Sequence, residues 1–221
     1  LYTILKKRMN SFYAALLIMF ATAFALMYFY ADVQGLWYDE VYQIGYVADR
    51  SFGDMLMTYA SMEEASAPLW GIISYFWYTF TPYGERLILL PSILFVLTGA
   101  VFLALAGRRL AGNVCGLFMA LLAITSNVIL LDCAYDFRMY STNFLFACCI
   151  LYYYIRRWQE GDKASFKTRL LLGVSMALMV YSHTLTIALC LGLFFFDVFL
   201  FIKRKIPLRF ILSYLSAVAL F

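Results

Sequence analysis

Charge is what this sequence has least of. Only 14% of its 221 residues are Asp, Glu, Lys or Arg, against roughly a quarter in an ordinary soluble domain. The hydrophobic fraction is 65%. A chain so short of polar groups cannot cover a water-facing surface, so the composition excludes a soluble domain and indicates an integral membrane protein. The net charge is a modest +4. Its Lys and Arg fall in short scattered clusters, which read as topology signals and give no patch for nucleic acid. A Gly-rich phosphate loop is missing, and so is a GxSxG elbow, which argues against nucleotide-driven chemistry. The five cysteines form no CxxC and no Cys/His metal spacing; they read as small apolar packing residues. Histidine occurs once, at His183.

What is present is a succession of apolar runs. Lys6-Lys7-Arg8 precedes Phe12–Ala31, long enough to cross a hydrocarbon core of about 30 Å. The run is too long for a signal peptide and lacks a small-residue cleavage pattern, so it reads as a retained helix with a cytoplasmic N-terminus. Residues 32–85 then form an outer loop. In it Val41, Ile44, Val47 and Ala48 recur at helical spacing, and Ser51 with Asp54 fits a capping box before Phe52, Met55, Leu56 and Tyr59. Two amphipathic helices on the membrane surface are predicted. Leu69–Phe80 reaches only roughly 18 Å as a helix, too short to span. The next runs, Arg86–Gly107, Gly112–Leu131, Tyr140–Ile155, Leu170–Ser182 and Leu185–Ile202, then alternate direction. This places Arg108-Arg109, Arg156-Arg157 and Lys203-Arg204-Lys205 inside. Phe210–Phe221 starts another crossing. The fold class expected is all-α, a polytopic transmembrane bundle with amphipathic juxtamembrane helices in the first outer loop. The chain opens on Leu1 and stops within an apolar run, and it reads as one module, 1–221, of a longer protein.

Chemistry concentrates at the outer ends of these runs. Trp37-Tyr38-Asp39-Glu40 sets two adjacent acids at a membrane exit, either as working groups or as hydrated acids beside interfacial anchors. Asp136-Phe137-Arg138-Met139-Tyr140 brackets an aromatic with an acid and a base. Glu63, Glu64, Glu85, Arg86, Asp132 and His183 share that side. Ionisable groups at such depth tend to face a bundle interior or a cavity. A carboxylate there can act as general base toward a hydroxyl, and a guanidinium fork matches phosphate oxygens. A transporter or flippase with a charge-lined path, or a non-catalytic membrane subunit, would use the same residue types.

In this order the motifs resemble the multipass, lipid-phosphate-sugar-dependent glycosyltransferases of the GT-C class, including the protein O-mannosyltransferases and the lipid A aminoarabinose transferases. The resemblance runs through Asp39-Glu40, Ala67-Pro68-Leu69-Trp70, Leu90-Pro91-Ser92, Gly107-Arg108-Arg109-Leu110-Ala111-Gly112, Asp136 to Tyr140, and Tyr181-Ser182-His183. It implies Asp39 as catalytic base with Glu40 beside it, and Asp136, Arg138 and Tyr140 at the donor. His183 resembles a position that helps bind a divalent metal in some members. Leu89 stands where the family often has Arg, and Arg86, one turn earlier, is expected to substitute. The implied partners are a polyprenyl-phosphate sugar donor and a lipid, glycan or protein acceptor on the extracytoplasmic face.

The topology carries a direct test. A cysteine introduced beside Arg108 should resist an impermeant thiol reagent added from outside intact cells. Labelling there would invert every later segment.

Overall fold

A computed structural model describes residues 2–31, 38–48, 50–61, 68–81 and 85–219. Every regular element among them is helical. In a bilayer no water remains to satisfy open backbone groups, and a helix satisfies its own. Among the described residues three helices are long and apolar enough to cross, Asn10–Tyr30, Arg86–Ala111 and Thr184–Ile202, and a bent pair, Asn113–Thr125 with Asn127–Ala134, would make a fourth if it is one span. The chain is an integral membrane protein.

Helix α1 (Tyr2–Tyr30) and helix α5 (Glu85–Ala111) run antiparallel. The Arg108 guanidinium lies over the ring of Phe12, 4.7 Å away, near one end of both helices. Toward the other end Ala23, Met27 and Ala31 share a core with Trp70, Ile88 and Leu89. The chain therefore leaves α1 and enters α5 at the same end. Between them lie α2 (Tyr38–Ala48), α3 (Phe52–Ala60) and α4 (Pro68–Phe80). Ser51 caps α3 as expected: its Oγ accepts the Asp54 N–H at 3.2 Å and donates to the Asp54 carboxylate at 2.6 Å. Helix α4 stays at this end, packed against α2, α3 and α5. The calls on Trp37, Glu63, Glu64 and residues 65–67 lie outside the described residues, as does the side chain of Glu85.

Pro91 sits inside α5. Lacking an N–H, it leaves the carbonyl four residues earlier without its helical donor. That carbonyl belongs to Leu87, and the Trp77 indole N–H donates to it at 2.7 Å. The helix defect thus becomes a docking point for α4. At the far end, Gly112 (φ 89) turns the chain into α6 (Asn113–Thr125). A Cβ on Gly116 would collide with the Ala104 carbonyl, so this glycine lets α5 and α6 meet closely. Buried Ala100, Ala104, Ala120 and Ala123 continue that contact. Small residues are what membrane helices use to gain dispersion contacts, since lipid supplies no hydrophobic drive between helices.

The expected outward run Gly112–Leu131 is not straight. Helix α6 breaks at Ser126, and α7 (Asn127–Ile129) with a π-helical turn, Leu130–Ala134, leaves it at 57°. Helix α8 (Tyr140–Glu160) returns along α5, and α9 (Phe166–Ser182) packs on α8. A hydrogen bond from Gln159 Nε2 to the Arg109 carbonyl (2.8 Å) puts the end of α8 beside the end of α5. Beyond α10 (Ile187–Ile202), the stretch expected to begin a crossing holds two short helices, α11 (Leu208–Leu212) and α12 (Leu215–Val218), with turns between them.

Arg157 corrects the sequence reading. It was expected in a cytoplasmic cation cluster beside Arg156, yet it is wholly buried. Its Nη2 pairs with Asp197 of α10, and its Nη1 donates to the Phe210 carbonyl at 3.0 Å. Tyr154 and Tyr214 donate to the two Asp197 oxygens at 2.7 and 2.8 Å. The rings of Tyr154 and Phe210 lie 4.7 Å from the guanidinium carbon. Asp197 is the one fully buried residue of the otherwise exposed or half-buried α10, so this pair ties α10 to the bundle. Removing one partner of a buried pair strands the other charge, at a cost of about 3–5 kcal/mol. Asp197→Ala should lower the thermal midpoint in detergent by many degrees, and the added substitution Arg157→Met should recover much of it. An unchanged midpoint in Asp197→Ala would show that the pair does not hold α10.

Candidate functional site

The site is built around the connection between the π-helical turn and α8. Its central residue, Phe137, is fully buried, with its ring edge-on to Trp70 at 5.2 Å between centroids. The peptide group joining Asp136 to Phe137 is held on both sides. Ser92 Oγ, just after Pro91 in α5, donates to its carbonyl at 2.9 Å. The Glu40 carboxylate accepts its N–H. Because a peptide unit is planar, two opposed hydrogen bonds fix its orientation. The Trp70 indole N–H then donates to the Phe137 carbonyl at 3.3 Å. Three elements, α2, α4 and α5, therefore grip two consecutive residues.

The neighbours of Phe137 face the other way. Asp136 and Arg138, with Asp39, Asp132 and Tyr140, line a cavity of about 620 Å³ whose apolar wall is Val128, Leu131 and Cys133. Asp39 stands in the first turn of α2, where the helix dipole favours an acid. Its Oδ2 accepts from Arg138 Nη1 at 3.0 Å, and the side chains keep 60% and 32% of their exposure. Arg138 also lies over the Tyr140 ring, 5.1 Å from its centroid. The sequence placed Asp39 and Glu40 in a loop; on a helix, successive residues diverge by about 100°. Asp39 accordingly opens to the cavity while Glu40 is fully buried.

Electrostatics set Asp136 apart. Burial pushes its carboxyl up to about 7, the Glu40 carboxylate adds to the rise, and the Arg138 guanidinium opposes it. One of its oxygens, Oδ1, is buried with no hydrogen-bond partner among the described residues. An acid in such surroundings is only partly ionised near neutrality.

Two expected residues stand apart. Arg86 opens α5 and is not among the described residues lining the cavity. His183 caps a 3₁₀ turn at the end of α9, its Nδ1 accepting the Leu185 N–H at 3.3 Å. No cluster of three His, Cys, Asp or Glu able to hold a metal occurs among the described residues. Among the described residues His183 belongs to no such cluster. Sequence reasoning missed the anchoring roles of Trp70 and Ser92. The signal available was chemical: a Trp N–H within a membrane-buried helix needs a partner, and a proline inside a helix creates an acceptor.

The raised Asp136 has a signed consequence. Its folded form keeps a proton that the unfolded chain releases near its ordinary 3.8. The stability this gives is fully present below pH 4 and is lost as pH rises through about 7. Asp136→Asn, which cannot ionise, should therefore gain thermal midpoint relative to wild type between pH 5 and about 8. A difference that stays flat with pH would remove the assignment.

No curated protein matches the chain, and no solved structure does. The sequence profile of one family matches residues 56–221, a span that holds Trp70, Ser92 and Asp136 to Tyr140 and starts beyond Asp39 and Glu40. With most of its length matched, the chain belongs to the dolichyl-phosphate-mannose-protein mannosyltransferase family, and so to the membrane glycosyltransferases.

Proposed function

We propose that the chain carries the transfer site of an inverting glycosyltransferase that uses a polyprenyl-phosphate-linked sugar. The family name specifies dolichyl-phosphate mannose and a protein acceptor, and a mannose-type donor is the natural first substrate. The observation that carries the reading is the 3.0 Å pairing of Arg138 with Asp39 at the rim of a single cavity. One pole suits a phosphate, the other a proton.

In this reading the acceptor hydroxyl gives its proton to an Asp39 oxygen as its own oxygen attacks the anomeric carbon. The bond from that carbon to the phosphate oxygen breaks on the opposite face. The lipid phosphate leaves with the bonding pair, and Arg138 holds the charge it gains. Arg138 is engaged by Asp39. A donor phosphate that draws Arg138 away would thereby free the base. Asp136, its carboxyl pushed up to about 7 by burial, carries less than a full negative charge toward an anionic donor near neutrality. Tyr140 offers its ring under the guanidinium and helps to hold the fork at the cavity.

The cations bear on the side of the membrane. Arg108, Arg109 and Arg156 gather at the end opposite Asp39, and that distribution supports a cytoplasmic assignment for that end and an extracytoplasmic site. The bent α6–α7 pair is a feature that a transporter would share. Here its last turn supplies Asp132 to the same cavity as Asp39, and family membership weighs for transfer.

Asp39→Asn keeps the size and polarity of the side chain and removes the proton acceptor. In the full-length protein it should lower sugar transfer by about 10²–10⁴-fold while leaving the thermal midpoint near wild type. Transfer from a radiolabelled polyprenyl-phosphate mannose measures the loss. Near-normal turnover would rule out Asp39 as the base.

A further inference from the structure

We propose that Glu40 is a positioning residue for Arg138 and takes no part in proton transfer. The inference rests on the donor-phosphate reading of Arg138 and adds to it the part that sets Arg138 in place.

The geometry assigns Glu40 this role by elimination and by reach. It neighbours Asp39 in sequence, yet it is fully buried and is not among the described residues lining the cavity. A group that must exchange protons with an acceptor has to touch it directly or through one water. The Glu40 carboxylate instead accepts the Phe137 N–H, 97 residues away in sequence. That N–H belongs to a peptide whose carbonyl Ser92 holds at 2.9 Å. With Phe137 sunk into the core against Trp70, the residues on either side of it are turned to the cavity. The peptide plane that Glu40 fixes, together with the following one held at the Phe137 carbonyl by the Trp70 N–H, sets the direction in which Arg138 leaves the backbone. Asp39, one residue earlier, takes the Arg138 side chain itself. The first turn of α2 thus holds Arg138 twice, by backbone through Glu40 and by side chain through Asp39. A displacement of about 1 Å at a positioning group is enough to cost a large factor in rate.

The test separates an acceptor from a proton carrier. Glu40→Gln keeps an oxygen at the same place, and Glu40→Leu keeps volume without an acceptor. Binding of polyprenyl-phosphate mannose and its transfer are measured in the full-length protein, with hydrogen exchange at the Phe137 amide followed in parallel. Glu40→Gln should hold donor affinity and turnover within about threefold of wild type and keep the amide protected. Glu40→Leu should lose that protection and weaken donor binding about tenfold, the scale of a buried acceptor removed from its donor. In an Arg138→Gln background the same Leu substitution should cost less than about twofold, because groups acting through one another are not additive. Should Glu40→Leu fail to fold, Ser92→Ala and Trp70→Phe each remove one other anchor of the same segment and should show the same coupling to Arg138.

Loss of transfer in Glu40→Gln comparable to that in Asp39→Asn would overturn the proposal in favour of a proton-carrying Glu40. Additive losses with Arg138→Gln would overturn it in favour of an independent role. A wild-type protein that binds no polyprenyl phosphate, with the Phe137 amide protected, would instead remove the donor reading and this role with it.

Discussion

The hydrogen bond between the Glu40 carboxylate and the Phe137 amide is the constraint on which the rest of the site depends. It joins the first surface helix to the turn before α8 across most of a hundred residues. Without it the Asp136–Phe137 peptide would be held at its carbonyl alone, and a single hydrogen bond leaves a plane free to tilt. Ser92 and Trp70 add the other contacts, and each has its own local origin. Ser92 follows Pro91, whose missing N–H draws in Trp77 of α4. Docking α4 brings Trp70 to Phe137. A proline that weakens one helix therefore organises the place where three helices meet.

The bundle is secured at two polar points and packed by small residues between them. At one end lies the grip on Phe137. At the other, Arg157 and Asp197 pair beneath a cover of Tyr154, Phe210 and Tyr214. Between these ends, alanines and glycines of α5 and α6 allow close approach where no hydrophobic drive exists. The two points differ in what surrounds them. The Arg157 pair is sealed, as a structural tie must be in an apolar medium. Asp39 and Arg138 remain half open to a cavity, where a pair can be exchanged for a ligand at little cost.

Much of this was legible because membrane constraints are strict. The length of Leu69–Phe80 was enough to keep α4 at one end, and the capping box at Ser51 marked the start of α3. The positions of Asp39, Asp136, Arg138 and Tyr140 at run ends brought them to one cavity, since depth in a bilayer is fixed by residue count. Direction around a helix was not legible. Nothing in Asp39-Glu40 says which acid turns inward, because that depends on where α2 begins. Arg157 looked like a topology signal because its counter-ion lies on α10, forty residues on, and pairing at that range leaves no local pattern. The bend at Ser126 has no proline or glycine to announce it. The sequence singled out His183 as the lone histidine without showing that its Nδ1 caps the turn it begins.

The central claim is that a gripped Phe137 presents Arg138 and Asp39 to one donor. An experimental structure of the full-length protein with a bound, unreactive polyprenyl-phosphate sugar analogue tests it most directly. The account predicts the phosphate within hydrogen-bonding distance of the Arg138 guanidinium, the anomeric carbon turned toward Asp39, and the Phe137 amide still held by Glu40. A phosphate bound away from Arg138, or a Phe137 segment released from Glu40 in the donor complex, would contradict it.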